Sequence, residues 1–147
     1  MNLKIIKNIK EMEEFAVFYL KNLEKTLNKA SIVLLEGDLG SGKTTFTQQI
    51  AKYFEIKDYI TSPTFVIQKK YRILNSQGLG FENLIHIDAY RLESGKELFD
   101  LEWEKNIFNP KNIIFIEWSE RVFEVLPNDV KKINFKFIDE ETREISF

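Results

Sequence analysis

The sequence predicts an α/β domain of three layers, in which helices cover both faces of a largely parallel central sheet. Segments with the apolar pattern of strands alternate along the chain with segments that have the spacing of helices. This alternation indicates parallel strands, because a helix must carry the chain back before the next strand begins in the same direction. The last two strand-like segments flank a short polar turn at 139–142, so an antiparallel hairpin at the C-terminal end makes the predicted sheet mixed.

The first predicted element is a helix near the N-terminus. Asn8, followed three residues later by Glu11, resembles a capping pair at a helix start. Apolar residues then recur at three- and four-residue spacing as far as Leu27, so we expect about five turns that end before Ala30. The apolar face either packs against the sheet or binds a partner protein.

A strand, a glycine-rich loop and a second helix follow in that order. Residues 32–35 form a short apolar run rich in β-branched side chains, which is typical of a buried parallel strand. The loop at 37–44 reads Gly-Asp-Leu-Gly-Ser-Gly-Lys-Thr, and residues 44–54 have apolar side chains four apart on one helical face. This context distinguishes the loop from a glycine-rich turn that happens to precede a lysine.

The loop matches the complete phosphate-binding pattern G-x-x-x-x-G-K-[ST]. Its glycines let the backbone curl so that successive N–H groups point at phosphate oxygens, and the helix N-terminus favours the bound anion. The Lys43 side chain can reach the β- and γ-phosphates, and the Thr44 hydroxyl suits a Mg²⁺ ligand. The predicted nucleotide-binding residues of this segment are Asp38, Leu39, Gly40, Ser41, Gly42, Lys43, Thr44 and Thr45.

An irregular segment rich in hydroxyl groups follows the second helix. Pro63 interrupts its apolar pattern, so the residue before it is expected to be extended. The hydroxyls of Thr61, Ser62 and Thr64 could sense the γ-phosphate, so that the segment orders with a triphosphate and relaxes after hydrolysis. The alternative is an ordinary turn around the proline.

The remaining chain alternates strands with one short helix. Ser94 and Glu97 form a capping pattern for that helix. The expected bounds are 65–74 and 84–90 for two strands, 94–103 for the helix, 112–118 for a strand, and 130–138 and 143–147 for the terminal hairpin.

Two acidic residues, Asp88 and Glu117, lie where apolar strands are expected to end. Ligands bind to α/β sheets outside the carboxyl ends of parallel strands, so both carboxylates are candidates for a metal site and, with Lys43, for catalysis. The alternative for each is a solvated acid at a strand end. His86 is expected on the same strand face as Asp88 and is either structural or catalytic.

Composition excludes several classes of protein. The chain has 147 residues, a formal net charge of -2 and no cysteine, which fits one domain without disulfides or thiolate metal sites. The small negative charge argues against a protein that binds nucleic acid mainly through phosphates. Because no apolar run approaches the roughly 20 residues that span a bilayer, and no signal-peptide pattern is present, we expect no membrane contact and a cytoplasmic location.

Read in order, four motifs resemble the TsaE (YjeE) family, bacterial P-loop ATPases required for threonylcarbamoyladenosine modification of tRNA. They are Gly-Asp-Leu-Gly-Ser-Gly-Lys-Thr-Thr, then Thr-Ser-Pro-Thr-Phe, then His-Ile-Asp-Ala-Tyr-Arg-Leu, and then Glu-Trp. The resemblance covers nearly the whole chain, and the second and third motifs are more specific than the phosphate-binding loop. Ser41 occupies a variable position of the loop where the family often has alanine.

The resemblance implies a P-loop NTPase fold in a single ATPase domain over residues 1–147, with ATP and Mg²⁺ as cofactors. Lys43 and the loop backbone would bind the ATP phosphates, and Thr44 would bind Mg²⁺. Asp88 and Glu117 would serve the metal and the catalytic water.

The resemblance also implies how the activity is used. Thr61, Ser62 and Thr64 would belong to a switch-like loop, with Ser62 and Thr64 in contact with the nucleotide. Trp118 and the strand end at 86–91 would shape the site. ATP hydrolysis would support turnover of the complex of TsaB with TsaD, in which TsaD transfers threonylcarbamoyl to the adenosine next to the anticodon. Contact with tRNA would be indirect, through that complex, and the oligomeric state is left open.

Three other functions share a phosphate-binding loop. A small-molecule kinase, which phosphorylates a hydroxyl group, usually adds a lid with several arginines, whereas the arginines here are well separated at 72, 91, 121 and 143. A GTPase is disfavoured, because no Asn-Lys-x-Asp or Asp-x-x-Gly motif follows the loop. A nucleotide-gated binding module without appreciable turnover is the third alternative.

Overall fold

Seven strands form one hydrogen-bonded sheet in the computed structural model, which describes residues 1–147. Their order across the sheet is β1-β7-β6-β2-β5-β4-β3. The strands are β1 (Leu3–Ile6), β2 (Ser31–Glu36), β3 (Gln68–Arg72), β4 (Asn83–Asp88), β5 (Asn112–Glu117), β6 (Lys131–Phe137) and β7 (Arg143–Ser146).

The four central strands, β6, β2, β5 and β4, are parallel to one another, whereas the strand pairs at both edges of the sheet are antiparallel. The terminal hairpin of β6 and β7 agrees with the sequence-based prediction, and β1 adds to β7 in the antiparallel sense. The prediction of a single antiparallel region was incomplete, because β3 also pairs antiparallel with β4. No helix separates β3 from β4, so the chain returns beside itself in the opposite direction.

Helices cover both faces of the sheet. On one face lie α1 (Ile9–Asn22) and α2 (Lys43–Tyr53), and on the other lie α3 (Trp103–Ile107) and a 3₁₀-helix at Gly95–Leu101. Two further 3₁₀ turns follow β5, at Ser119–Arg121 and Phe123–Val125. None of the helices combines the length and the apolar composition needed to cross a bilayer.

Aromatic packing fixes α2 against the sheet. Phe46, which is fully buried, has its ring centroid 5.6 Å from that of Phe15 on α1, 5.8 Å from Phe115 on β5 and 5.6 Å from Phe135 on β6. Rings at such separations add favourable edge contacts to the apolar area that they bury. The first turn of α2, which carries the end of the glycine-rich loop, is therefore held rigidly on the core.

Two element boundaries differ from the predictions because local backbone geometry overrides apolar spacing. The first helix ends at Asn22 rather than before Ala30, since Leu23 is already extended, and Leu27 is 90% exposed. The strand expected at 65–74 is limited to β3, because Ile67 has a φ of 67°, which a strand does not accommodate.

One element was missed and another is confirmed. The short strand β1 was not predicted, because four residues are too few to show a clear alternation. The short helix predicted at 94–103 is present as the 3₁₀-helix at Gly95–Leu101, and Ser94 and Glu97 form the predicted capping box.

Candidate functional site

The glycine-rich loop connects the end of β2 to the first turn of α2. Two of its glycines are required by the backbone. Gly37 has a φ of 137°, and a Cβ atom at this position would collide with the carbonyl oxygen of Phe135 on β6. Gly42, with a φ of 108°, is the residue that turns the chain into α2. Strand β6 therefore packs directly against the back of the loop.

Lys43 directs its ammonium group into the loop. Its Nζ donates hydrogen bonds to the carbonyl oxygens of Gly37, at 2.6 Å, and Asp38, at 2.9 Å. The residue is 5% exposed, and no acidic side chain forms an ion pair with it. Its positive charge is therefore held by backbone dipoles and is not neutralised by a carboxylate, which suits a group that meets a phosphate.

Asp88 and Glu117 lie side by side at the carboxyl ends of β4 and β5, where they are register partners. Both are buried. Glu117 Oε1 lies 2.9 Å from Nε2 of His86 and 3.5 Å from the Thr44 hydroxyl. The predicted metal-side groups Thr44 and Glu117 thus meet, although they are 73 residues apart in the sequence.

Asp88 holds the hydroxyl-rich segment after α2 onto the sheet. Its Oδ2 accepts hydrogen bonds from the hydroxyls of Ser62 and Thr64, each at 2.8 Å, and its Oδ1 accepts one from the backbone N–H of Tyr90 at 3.0 Å. Both carboxylate oxygens are therefore occupied by protein donors. The segment around Pro63 is attached to the strand end and is more than an isolated turn.

These groups surround a cavity of about 500 Å³. Eight predicted site residues line it together with Asp88 and Glu117, namely Leu39, Gly40, Gly42, Lys43, Thr44, Thr45, Ser62 and Thr64. Three predicted residues do not line it: Asp38, Thr61, which is exposed, and Ser41, whose buried side-chain oxygen has no hydrogen-bond partner.

Aromatic side chains form another part of the cavity wall. The rings of Tyr90 and Trp118 lie 5.1 Å apart, and the Trp118 ring is 5.8 Å from Lys43 Nζ. Trp118 has a φ of 59°, so the chain leaves the direction of β5 immediately after Glu117. This bend places the indole over the end of the strand instead of in the sheet.

Arg143 is a site residue that the sequence-based reasoning missed. It begins β7, lines the cavity, and its Nη2 donates to the carbonyl oxygen of Gly40 at 3.3 Å. Its Nε is buried without a partner. No sequence pattern could have identified it, because it lies 103 residues after Gly40 and reaches the loop only through the pairing of β7 with β6.

A second cavity, of about 440 Å³, adjoins the loop on the side of α1. Gly42, Thr45 and Arg143 line both cavities. The rest of its wall comes from the connection between β1 and α1 and from the turn of the terminal hairpin, with Asn8, Ile9, Met12 and Glu140 among its residues.

The oxygen donors of the first cavity fit Mg²⁺. Thr44 offers a hydroxyl, and Glu117 Oε2 accepts no hydrogen bond from the protein. No three acidic or histidine side chains come together into a cage that could hold a metal alone. This matches the usual binding of Mg²⁺ by one or two carboxylates together with substrate phosphates, not by a dedicated protein cage.

Comparison with known proteins identifies the family. A family model described as "Threonylcarbamoyl adenosine biosynthesis protein TsaE" matches residues 6–145. The tRNA threonylcarbamoyladenosine biosynthesis protein TsaE of Rickettsia typhi is 37% identical over 135 residues, which cover 91% of this chain and 85% of that protein. The protein of the same name from Bacillus subtilis is 36% identical over 116 residues, or 79% of this chain and 68% of that protein.

A solved structure agrees with the sequence matches. The crystal structure of Bacillus subtilis YdiB superposes with a TM-score of 0.71 at 26% identity and covers 98% of this chain and 82% of that chain. The match therefore extends over both antiparallel edges as well as the glycine-rich loop. The chain belongs to the TsaE family of threonylcarbamoyl adenosine biosynthesis proteins.

Proposed function

We propose that residues 1–147 form one P-loop ATPase domain that hydrolyses ATP with Mg²⁺ in support of threonylcarbamoyladenosine modification of tRNA. The observation that carries the proposal is the convergence of Lys43, Thr44 and Glu117 on one cavity at the N-terminus of α2. A buried lysine without an acidic partner, beside curled backbone and a carboxylate, is the arrangement that phosphoryl chemistry requires.

Each group of the loop has a distinct role in this proposal. The backbone N–H groups of the loop bind phosphate oxygens, and Lys43 exchanges its hydrogen bonds with the loop carbonyls for contact with the phosphates. Thr44 and Glu117 hold Mg²⁺, which when bound offsets the negative charge of the phosphate chain. Since Glu117 Oε2 accepts no protein hydrogen bond, it is also the atom that accepts a hydrogen bond from the attacking water and orients it.

Asp88 has a second role in addition to that of a carboxylate on the metal side of the site. Its bonds to Ser62 and Thr64 join the hydroxyl-rich segment to the nucleotide cavity. A γ-phosphate offers these hydroxyls strong acceptor oxygens, so the segment exchanges partners when a triphosphate binds. Asp88 is then free to bind Mg²⁺ through a water molecule. The conformation of the segment would thus depend on whether a triphosphate is bound.

The second cavity suits the nucleoside. A phosphate chain bound to the loop has one end beside Glu117 and the other beside Gly42 and Thr45, which line both cavities. The reacting γ-phosphate belongs beside Glu117, so the base and ribose extend towards Asn8, Ile9 and Met12. A cavity of about 440 Å³ is within the ordinary range for small-molecule sites.

TsaB and TsaD are the proposed protein partners, and tRNA is contacted indirectly through them. The net charge of -2 does not favour direct binding of an RNA backbone. Leu39, which lines the nucleotide cavity, is 93% exposed, so its apolar side chain is accessible to a protein partner. A kinase function is less favoured, because the only arginine that lines the cavity, Arg143, lies on a sheet strand instead of a lid.

The decisive experiment is ATP turnover by the purified chain with Mg²⁺, alone and with TsaB, TsaD and tRNA. Weak basal turnover that rises with the partners and is lost in Lys43→Ala supports the proposal. Turnover that ignores the partners but requires a hydroxyl-bearing small molecule would support the kinase alternative. Nucleotide binding without turnover under any of these conditions would indicate a nucleotide-gated binding module.

A further inference from the structure

His86 is the only histidine of the chain and is 0% exposed on β4. Its Nε2 lies 2.9 Å from Glu117 Oε1, and its Nδ1 is buried without a hydrogen-bond partner. The side chain does not line the nucleotide cavity. It therefore contacts the proposed reaction site only through Glu117.

The surroundings of His86 determine where its proton lies. An ionised carboxylate only accepts hydrogen bonds, so Nε2 must carry the proton that it shares with Glu117. The structure thus places the hydrogen-bond donor of this pair on Nε2 and leaves Nδ1 without a partner.

This hydrogen bond makes the surroundings of the two Glu117 oxygens different. Oε1 is occupied by His86 and lies near the Thr44 hydroxyl, whereas Oε2 has no protein donor. His86 precedes Asp88 by two residues, and Asp88 is the register partner of Glu117, so the ring reaches the carboxylate diagonally across the sheet. Because β4 and β5 are both central strands, the ring and the carboxylate have little freedom to move apart.

We propose that His86 is a positioning residue, which fixes the Glu117 carboxylate so that Oε2 faces the metal and the attacking water. The proposal rests on the function proposed above for Glu117. A donor behind a ligating carboxylate orients it and prevents rotation, and loss of such a donor typically lowers metal affinity or activity by about 10–100-fold.

The first test is ¹⁵N NMR of the ring, which is unambiguous because the chain has a single histidine. We expect the signature of a ring that carries a proton on Nε2, where the hydrogen bond with Glu117 lies. The Nε2 resonance should move in Glu117→Ala and stay in place in Glu120→Ala, which removes a neighbouring exposed acid. A proton on Nδ1 instead of Nε2, or a resonance indifferent to Glu117→Ala, would overturn the proposal.

The second test uses matched variants, with Mn²⁺ and ADP as the probe and electron paramagnetic resonance as the readout. His86→Gln can place an amide N–H near the position of Nε2, whereas the shorter side chain of His86→Asn cannot reach it. We expect Mn²⁺ affinity to fall about tenfold or more in His86→Asn and to be largely retained in His86→Gln. ADP affinity without metal should be unchanged in both, and equal melting temperatures show that both fold.

The outcomes separate this proposal from the proposed function. Equal Mn²⁺ affinity in the wild type and in both variants would overturn the positioning role while leaving ATP hydrolysis intact. Equal losses in the Gln and Asn variants would also overturn it, because they would indicate packing instead of hydrogen bonding. A third outcome would support the positioning role and refute the ATPase: the wild type shows the Nε2 signature but never hydrolyses ATP, and only His86→Asn binds Mn²⁺ more weakly than the wild type.

Discussion

At the scale of single residues, the candidate site contains one buried lysine and one buried glutamate whose surroundings differ. Lys43 is held by the carbonyl oxygens of its own loop, so its charge is oriented without being neutralised. Glu117 has one oxygen anchored by His86 and the other free. The first residue should therefore govern phosphate binding, and the second should govern the reaction.

Lys43→Ala is expected to weaken ATP binding roughly 10–100-fold, because it removes charge-assisted hydrogen bonds worth about 1.5–3 kcal/mol. Isothermal titration calorimetry would measure the change. Lys52→Ala is a matched control, since Lys52 lies at the other end of α2 in an exposed ion pair with Glu13. Unchanged ATP affinity in Lys43→Ala would contradict the assignment of the loop.

Because we propose that the Glu117 carboxylate orients water and metal while the loop binds the phosphates, Glu117→Ala is expected to reduce ATP turnover far more than nucleotide affinity. Single-turnover kinetics and ADP binding, measured on the same preparation, would separate the two effects. If affinity and turnover fall in the same proportion, Glu117 only binds the nucleotide or supports the fold.

The residue scale is also where the sequence was most informative. Lys43, Thr44, Asp88 and Glu117 were all predicted, because a contiguous motif or a strand end marks each of them. Arg143 was not, because only the strand order brings it to the loop. Spacing along a chain does not report contacts that arise from the pairing of distant strands.

At the scale of elements, two connections reach the cavity through polar contacts. The segment 61–66 is fastened to β4 by Asp88, and the turn of the terminal hairpin presents Arg143 to the loop. Both connections are short and are held by a few polar contacts. Replacing one side chain that makes such a contact should therefore loosen the connection measurably.

Thr64→Ala and Ser62→Ala are each expected to loosen the segment around Pro63, and their combination more so, because Asp88 Oδ2 loses one or both hydroxyl donors. Amide hydrogen exchange at 61–66 should accelerate, and any stimulation of ATP turnover by TsaB and TsaD should decrease. Ser76→Ala, in an exposed turn elsewhere, serves as the control. Normal exchange and normal stimulation in the double variant would mean that the segment is an ordinary turn.

The hairpin turn should depend on pH through Asp139. Hydrogen bonds from the Thr142 side chain and backbone, and from the Glu141 backbone, lower the pKa of Asp139 below its ordinary value. Because the pKa is lower in the folded protein, the stabilisation is present above the unfolded pKa and is lost as the pH falls through the folded value. The backbone amide signals of Glu141 and Thr142 should therefore titrate with a midpoint below about 3.9.

Asp139→Asn provides the check on this titration, since it keeps the size of the side chain and removes its charge. The pH dependence of the two amide signals should disappear in this variant. A midpoint at or above the ordinary value for aspartate in the native chain would show that the turn is not held by the carboxylate.

At the scale of the whole molecule, the sheet order explains both the successes and the failures of prediction. The alternation of strands and helices predicted the parallel centre, which the structure contains as β6, β2, β5 and β4. At the edges, β1 was not predicted, because a four-residue strand shows no reliable apolar period, and the strand that contains β3 was predicted too long, because the positive φ of Ile67 delays its start. Local propensity is a weak guide where pairing with a neighbour decides the conformation.

The stability of the whole molecule should depend strongly on Phe46, whose ring contacts aromatic side chains from α1, β5 and β6. Phe46→Ala is expected to lower the free energy of unfolding by about 3–5 kcal/mol, because it leaves a cavity between α2 and the sheet. Urea denaturation would measure the loss. Phe108→Ala, at a position that is 63% exposed, should change stability little, and an equal loss there would contradict the argument.

The close approach of Phe135 to Gly37 has a consequence for how the protein folds during its synthesis on the ribosome. The loop, α2 and both carboxylates emerge before residues 131–146, yet β6 supplies the backing of the loop and β7 supplies Arg143. Until those last strands emerge, β2 has an open edge on the side that β6 later fills. A nascent chain of this protein therefore carries its whole phosphate-binding motif before the strands that complete the pocket around that motif have been made.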